Sequence, residues 1–320
     1  MTGDERVTTA GHTAPTPDPA AAPTPALTRT PTPTRTRAAT PAPSAKNSSP
    51  KSPEERQLPR TRPRVGPGRV VLRRDLGEFG SPAARPVRAR PGWGVLSAIA
   101  PTFCVDTPAA EFALTYDDGP DPAHTPALLD LLAERGVRAT FFVLADAAQA
   151  HPELLRRIVA EGHELALHGR DHGRLTRLPA RQAVAEIAVA RATVERLSGT
   201  TVRFFRPPYG AHTPAMLLGW RRLGLDVVIW SGWAADWQDD PAAVIADRAA
   251  AAVHPGGILL LHDTRADPDT LGPGERMPAF DRAEATALLL DRLSGWRPST
   301  VGDLLARHPR VRAVIRELWT

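Results

Sequence analysis

From residue 111 onward, apolar β-rich runs alternate with amphipathic runs that have the period of an α-helix. The β-like runs span 111–117, 139–145, 163–168, 202–208, 226–232 and 257–263, and a seventh lies near 297–305. The helix-like runs span 125–136, 151–162, 180–199, 213–224, 240–253 and 280–296. Repeated strand–helix units predict an α/β fold with a parallel sheet and helices outside it. The number of strands favours a barrel or near-barrel, with a doubly wound open sheet as the alternative.

The N-terminal part of the chain has a different composition. Residues 1–66 contain 13 of the 34 prolines, many Thr, Ala and Ser, and few large apolar residues. Such a segment cannot bury enough apolar surface to offset the entropy lost on ordering, so we expect a disordered Pro/Thr/Ala-rich tail. We therefore divide the chain into this tail, a lead-in segment at 67–110, a barrel domain at 111–306 and a C-terminal helical extension at 307–320.

The net positive charge of the chain lies in its N-terminal part. Residues 1–90 carry 16 Lys and Arg against 7 Asp and Glu, a net +9, whereas residues 91–320 carry 24 against 28, a net −4. A basic globular surface for nucleic acid is therefore not expected. The basic tail is either a solvated spacer, which we favour, or a segment that contacts an anionic surface.

Signals for membrane insertion and export are weak. No run reaches the ~18 apolar residues of a membrane span, and the N-terminus has no hydrophobic signal region. Residues 85–104 place arginines before a short apolar run, as an export signal does, but Gly and Pro interrupt that run. We expect it to pack against the domain. The single cysteine, Cys104, allows no internal disulfide and no cysteine-based metal site.

Polar residues stand at the ends of the predicted strands, where folds of this class place their functional sites. In chain order they are Asp117 and Asp118, His168 and His172, Arg206, Asp236 and His262. Two histidines and one carboxylate are a common ligand set for a catalytic Zn²⁺ or a similar divalent cation. The alternative is that the histidine pair is an ordinary pair of loop histidines, which the carboxylates on the same rim disfavour.

A bound divalent cation also explains why two aspartates stand side by side. It would offset the repulsion between Asp117 and Asp118, so that one carboxylate binds the metal and the other takes a proton from the metal's water. Arg206 would keep that base ionised at neutral pH.

Five short motifs carry a resemblance to a known family. TYDDGP, HGRDH, RPPY, ADW and LLH follow one another in the order and spacing of the polysaccharide deacetylase family, the NodB-homology group of carbohydrate esterase family 4. Each motif alone is weak, but the set is specific, and the resemblance covers about residues 111–306. It implies a distorted (β/α)7 barrel, in agreement with the strand count, and a metal-dependent hydrolase that removes N-acetyl or O-acetyl groups from the sugars of a glycan.

The resemblance also implies the catalytic roles. Asp117 would be the general base and Arg206 would hold it in place. His262 would be the general acid, tuned by Asp236.

The remaining motif positions imply a metal site and a substrate pocket. The backbone N–H of Tyr209 would help to bind the oxyanion, and Trp237 and Leu260 would wall a pocket for the acetyl methyl group. One divalent cation is implied, with Zn²⁺ expected and Co²⁺ or Ni²⁺ as alternatives. Its ligands would be Asp118, His168 and His172.

Several positions depart from the family's usual pattern. The first histidine is usually followed by Ser or Thr and here by Gly169, so a hydroxyl that would orient the ligand is lost. Asp171 either substitutes for that hydroxyl or is simply exposed. Gly173 stands where Pro is frequent, Trp233 where the fourth motif often begins with Asp, and Tyr116 replaces Phe. Since no ligand, base or acid is missing, we expect an active enzyme with an altered substrate preference.

Two other functions stay open on the sequence. One is a metal-dependent amidase acting on a small non-sugar amide, and the other is a non-catalytic glycan-binding module. We expect an acetylated glycan as substrate, no nucleic-acid partner and a monomer. The sequence names no compartment, although this substrate class indicates the cell envelope or the extracellular space.

Overall fold

The computed structural model describes residues 70–73, 98–265, 274 and 276–315. In chain order its strands are β1 (Val70–Arg73), β2 (Thr102–Val105), β3 (Glu111–Asp117), β4 (Thr140–Leu144), β5 (Glu164–Gly169), β6 (Phe204–Phe205), β7 (Asp226–Val227), β8 (Gly232–Trp233), β9 (Gly257–His262), β10 (Arg297–Ser299) and β11 (Arg310–Ile315). The main sheet is parallel and has the order β7-β6-β5-β4-β3-β9-β8, with β10 paired to β3. Of the predicted β-like stretch near 297–305, only the first residues form a strand.

The central strand β3 shows how the sequence pattern positions the site. All seven of its residues are buried, as expected for a strand covered on both faces. Phe112 and Leu114 pack in the cluster under the helices, whereas Ala113 packs in a cluster on the inner side of the curled sheet. Because side chains alternate along a strand, Asp117 projects to the inner side, as Ala113 does. Its register partner in β9 is His262, so strand pairing alone places a carboxylate beside an imidazole.

One stretch of chain, residues 226–233, supplies both edges of the curled sheet. Its first part pairs with β6, and the N–H of Val228 donates to the carbonyl of Phe205 over 2.9 Å. Its last part pairs with β9, and the N–H of Ser231 donates to the carbonyl of Ile258 over 2.9 Å. The sheet therefore curls into a barrel-like shape, and the predicted distorted barrel is confirmed.

Helices cover the outer face of the sheet, except for the last one, whose buried residues Val301, Leu304 and Leu305 belong to the inner cluster that contains Ala113. In chain order they are α1 (Thr125–Glu134), α2 (Ala145–Ala150), α3 (Pro152–Ala160), α4 (Ala180–Ser198), α5 (Pro214–Arg222), α6 (Ala242–Ala252), α7 (Arg282–Arg292) and α8 (Val301–Arg307). Side chains cap several of them: Thr213 accepts a backbone N–H at the start of α5, and Asp281 accepts two at the start of α7. Among the helices in the described parts of the chain, none has the length and apolar content of a membrane span.

A separate three-stranded sheet contains β11 between β1 and β2. The predicted C-terminal helical extension at 307–320 is therefore wrong over residues 310–315, which form β11, and residues 316–320 lie outside the described part of the chain. Helix α8 ends at Arg307, Pro309 cannot continue it, and the next residues alternate between charged and apolar with the period of a strand. The lead-in segment contributes β1 and β2 to this sheet, whereas the predicted tail at 1–66 lies outside the described residues.

Candidate active site

The carboxyl ends of four strands of the main sheet form one rim that gathers the predicted site residues. Asp117 ends β3 and His262 ends β9, and these two strands pair directly. His168 is the fifth residue of β5, and Arg206 directly follows β6. Parallel strands have their carboxyl ends at one edge, so residues far apart in sequence meet there.

Asp118, His168 and His172 form a cluster that can bind a metal ion. The Oδ1 atom of Asp118 lies 3.4 Å from Nε2 of His168 and 3.4 Å from Nε2 of His172. All three ligand atoms lie within 4.8 Å of one another. Asp118 and His172 have positive φ angles of 83° and 61°, so the chain turns sharply at both residues. Two imidazole nitrogens and one carboxylate oxygen are a donor set that fits a divalent cation with an open position.

His168 is already oriented as a ligand. Its Nδ1 lies 2.8 Å from the carbonyl oxygen of Arg206. A carbonyl only accepts, so Nδ1 carries the hydrogen and Nε2 keeps its lone pair for a metal. Burial lowers the pKa of His168 well below its ordinary value, which favours the neutral imidazole that metals bind.

We call Asp117 and Arg206 the base half of the site. Nη1 of Arg206 donates to Oδ1 of Asp117 over 2.5 Å and to the hydroxyl of Thr115 over 2.9 Å. The remaining nitrogens of the guanidinium face the carbonyls of Val228 and Ile229 at 3.4 and 3.3 Å. Burial raises the pKa of Asp117 to about 7, against the opposing effect of Arg206. The carboxylate is thus fixed in orientation and basic enough to accept a proton near neutral pH.

We call His262 and Asp236 the acid half of the site. Oδ1 of Asp236 lies 2.8 Å from Nδ1 of His262, and Oδ2 accepts the backbone N–H of His262 over 2.7 Å. Burial by itself lowers the pKa of His262, but the charge and hydrogen bond of Asp236 reverse this and raise it to about 9. The imidazole is therefore protonated at neutral pH, which is the state that a general acid needs.

Asp263 is a buried site residue to which the sequence assigned no role. Its Oδ1 accepts the N–H of Gly119 over 2.8 Å, and its Oδ2 accepts the hydroxyl of Thr125 over 2.7 Å. A Cβ atom on Gly119 would lie 1.9 Å from Oδ2 of Asp263, so only glycine fits there. The carboxylate therefore holds the loop that follows Asp118 in place. Its position directly after His262, at a strand end, is the signal that could have identified it.

Arg282 is a second residue that the sequence did not indicate. It is the first residue of α7 and is only 4% exposed. Its Nη1 donates to the carbonyl oxygen of His262 over 2.7 Å and lies 3.6 Å from Oδ2 of Asp236. An arginine in the first turn of a helix is unfavourable, because the helix dipole places partial positive charge there. The position of Arg282 is the only sequence signal that could have indicated a partner elsewhere in the chain.

The three predicted substrate residues occupy different parts of the rim. The ring of Tyr209 lies 4.6 Å from that of His172, and its φ angle is 60°. The ring of Trp237 meets that of His262 edge-on at 5.9 Å. Leu260 precedes His262 by two residues on the same side of β9 and belongs to an apolar cluster of the inner side. Their roles in binding the oxyanion and the acetyl methyl group stay predictions.

The backbone explains the glycine beside the first histidine ligand. Gly169 has a φ of +130°, a conformation that residues with a side chain rarely adopt. It lies at an irregularity in the pairing of β4 and β5. Asp171 is exposed, and its carboxylate contacts Arg170 and the N–H of Gly173. Asp171 therefore stabilises the turn between the two histidines.

Sequence comparisons match the same region. A family model described as "Polysaccharide deacetylase" matches residues 105–228, which include the base half and all three predicted ligands. A chitooligosaccharide deacetylase of Sinorhizobium fredii is 41% identical over 158 residues, covering 49% of this chain and 74% of that protein. The peptidoglycan-N-acetylmuramic acid deacetylase PdaC of Bacillus subtilis is 36% identical over 159 residues, covering 50% of this chain and 33% of that protein.

A solved structure shares the fold over a longer stretch. Bacillus subtilis PdaA, described as a family 4 carbohydrate esterase, superposes with a TM-score of 0.58 at 25% identity. The superposition covers 76% of this chain and 97% of that one. The curled sheet with its outer helices is therefore the fold of these esterases.

Proposed function

The chain belongs to the polysaccharide deacetylase family, and we propose that it is a metal-dependent hydrolase that removes acetyl groups from the N-acetylated sugars of a glycan. One observation carries this proposal: the Asp–His–His cluster, the base half and the acid half lie on one rim. Amide hydrolysis needs an activated water, a base that takes its proton and an acid that protonates the leaving nitrogen. The rim has a candidate for each task.

Asp118, His168 and His172 would hold the metal ion. Zn²⁺ suits two imidazoles and one carboxylate, and Co²⁺ or Ni²⁺ are alternatives. When bound, such a cation lowers the pKa of a water molecule and polarises the acetyl carbonyl. The hydrogen bond from His168 to the Arg206 carbonyl prepares one ligand in the correct tautomer.

Asp117 takes the proton of the attacking water. Arg206 occupies Oδ1 of Asp117, so Oδ2 is the oxygen that accepts this proton. The positive charge of Arg206, fixed inside the barrel, favours the ionised carboxylate before the reaction. Arg206 also prevents the carboxylate from rotating away from the water.

His262 gives a proton to the leaving nitrogen. Asp236 holds Nδ1, so the transferred proton lies on Nε2. The backbone N–H of Tyr209 would donate to the oxyanion that develops when the water adds to the carbonyl. The carbon–nitrogen bond then breaks, and the products are acetate and a sugar with a free amino group.

The names of the relatives guide the choice of substrate. One acts on chitooligosaccharides and the other on peptidoglycan, and both substrates contain N-acetylated amino sugars. We therefore propose a glycan with N-acetylated amino sugars as the substrate of this chain.

The test is acetate release from a panel of substrates with and without a chelator. The panel contains N-acetylchitooligosaccharides, peptidoglycan, acetylated xylan and small non-sugar amides. We expect chelator-sensitive acetate release from at least one of the first two. Release only from the small amides would contradict the glycan substrate, and chelator-insensitive release would contradict the metal site.

A further inference from the structure

Arg282 is a buried cation whose place in the fold needs an explanation. Its helix α7 starts with a cap on Asp281, which accepts the backbone N–H groups of the next two residues after Arg282. The helix start is thus satisfied without the Arg282 side chain. Arg282 is nevertheless 4% exposed, although a long cationic side chain at a helix start normally extends into water.

The contacts of Arg282 join it to both members of the acid half. Its Nη1 donates to the carbonyl oxygen of His262 over 2.7 Å and lies 3.6 Å from Oδ2 of Asp236. Oδ2 of Asp236 in turn accepts the backbone N–H of His262 over 2.7 Å. Arg282, Asp236 and the peptide groups on either side of His262 therefore form a closed ring of polar contacts. Rotation of the His262 backbone would break more than one of them.

The charges of the neighbourhood explain why an arginine suits this position. Asp236 and Asp263 are both buried carboxylates, and burial raises the pKa of each of them. At Asp236 the charge and hydrogen bond of His262 oppose this most strongly, and the positive charge of Arg282 adds to their effect and acts on Asp263 as well. Arg282 thus adds to the positive charge that favours the ionised form of Asp236, which orients His262. The planar guanidinium can serve a carbonyl and a carboxylate together, which an ammonium group does less well.

We propose that Arg282 is a positioning residue for the general acid: it fixes the backbone of His262 and the carboxylate of Asp236 so that Nε2 of His262 points at the leaving nitrogen. This inference rests on the proposed function. Arg282 does not touch the reacting atoms and acts only through the acid half.

The chemistry of the leaving group separates this role from a general structural one. An amine leaves only when its nitrogen is protonated, so deacetylation of an amide needs the general acid. A nitrophenolate leaves readily without a proton, so hydrolysis of p-nitrophenyl acetate needs the metal and the base but not the acid. Loss of the positioning residue therefore lowers amide turnover selectively, whereas loss of folded protein lowers both activities equally.

The experiment compares R282M, R282K and the reference variant H262Q on N-acetylchitotetraose and on p-nitrophenyl acetate, counting only chelator-sensitive turnover. We expect R282M to lose about 10²-fold on the amide and less than about 3-fold on the ester, as H262Q does. R282K should lie between R282M and the wild type. The matched control is R292M, since Arg292 lies at the exposed end of the same helix and pairs with Asp247.

Equal losses on the two substrates in R282M, or an unchanged ratio between them, would overturn the proposal. If R282M does not fold, R282Q takes its place, because Gln keeps an N–H donor without the charge. A wild-type ratio in both R282Q and R282K would then overturn the proposal as well.

A second readout needs no substrate. The hydrogen between Nδ1 of His262 and Asp236 should give a downfield proton resonance in the wild type, in R282K and in R292M. We expect R282M to shift or lose that resonance, and an unchanged resonance counts against the positioning role. If the wild type releases no acetate from any amide, the proposed function fails, whereas this resonance still tests the contact that Arg282 makes.

Discussion

In the base half, an arginine bonds directly to the carboxylate that would take the proton, whereas beside the acid half an arginine bonds to the backbone of the histidine that would give it. Arg206 donates to Oδ1 of Asp117 over 2.5 Å. Arg282 donates to the carbonyl of His262, and its guanidinium stays 3.6 Å from Asp236. A base needs a cation beside it to stay ionised, but a cation beside an acidic imidazole would expel its proton. The backbone contact of Arg282 suits an imidazole that must keep its proton, since the carboxylate of Asp236 lies beside the ring instead.

The two halves also differ in where the fold places them. The guanidinium of Arg206 lies inside the barrel, 3.9 Å from the ring centre of Phe142, and the side chain of Asp117 is 2% exposed. The acid half and Arg282 come from a strand end, a loop and the start of α7, and the side chain of His262 is 12% exposed. A water molecule can be held deep in the rim, but the leaving group belongs to a large glycan. The acid half must therefore stay more open and needs support from more elements.

The largest expected effect comes from D117N. This variant removes the base, and attack by water is common to amide and ester substrates, so both activities should fall by about 10³-fold or more. Metal content should stay at the wild-type level, because Asp118, His168 and His172 are unchanged. Enzyme assays on both substrates, with metal analysis and a melting curve, measure this. D303N, at an exposed aspartate paired with Arg138, is the control and should behave as the wild type.

A D117N variant with near wild-type activity would show that the base half has no catalytic role. A selective loss on the amide would assign Asp117 to the acid half instead.

The next effect concerns the pH dependence of amide hydrolysis. The pKa of His262 is raised to about 9, so the imidazole is protonated below that value and wild-type activity should fall as the pH rises through it. In D236N the charge and hydrogen bond of Asp236 are lost, and burial lowers the pKa of His262 against only the charges of Asp118 and Asp117. The alkaline limb should therefore move to lower pH, and activity on the amide at pH 8 should fall by about 10-fold or more.

Rates on the amide between pH 6 and 10 measure this shift, with the ester as control because its leaving group needs no acid. An alkaline limb that stays near pH 9 in D236N would contradict the account of the acid half.

A smaller effect is expected from D263N, since Asp263 belongs to neither half of the site. Asp263 follows the acid His262 and fastens the loop after the ligand Asp118 through the N–H of Gly119. An amide in its place presents one oxygen instead of two, so the ligand loop should loosen and the metal affinity should fall about 10–100-fold. Competition with a coloured chelator measures this, and saturating metal should restore activity. An unchanged affinity would mean that the loop holds Asp118 without this carboxylate.

The smallest effect is expected from G169A. The φ angle of +130° at Gly169 is nearly exclusive to glycine, so the new Cβ should cost about 1–3 kcal/mol of folding free energy. The nearest side-chain atom, Cγ of Pro208, lies 3.4 Å from that Cβ, so strain rather than a clash is the cause. Urea denaturation measures the change, and equal stability of G169A and the wild type would show that the backbone relaxes there without cost.

The sequence predicts the members of both halves but not the arginine that supports the acid half, for a physical reason. The apolar runs of β3 and β5 predict which faces of these strands are buried and where the strands end. The periodicity of the sequence therefore predicts that Asp117 and His168 lie at those ends. Arg282 reaches the site from the start of a helix, and its partners are a carbonyl oxygen and a carboxylate far away in the chain. No periodicity or local motif encodes such a contact.

The error at the C-terminus has a related cause. Residues 310–315 form a strand only because β1 and β2 lie on either side of β11. Those partners lie 242 and 207 positions earlier in the chain, as the pairs Val70–Arg312 and Cys104–Val311 show. A short segment with both helical and β-like character is decided by such tertiary pairing and not by its own propensity.

The central claim is that one divalent cation, bound by Asp118, His168 and His172, works between a base and an acid on one rim. The most direct test is to strip the protein with a chelator and to follow acetate release from N-acetylchitotetraose as Zn²⁺ is added back. We predict no release at the start and a rise that saturates at one equivalent of metal in the wild type, with little rise in D118N. Full activity of the stripped protein, or an equal response of D118N, would contradict the claim.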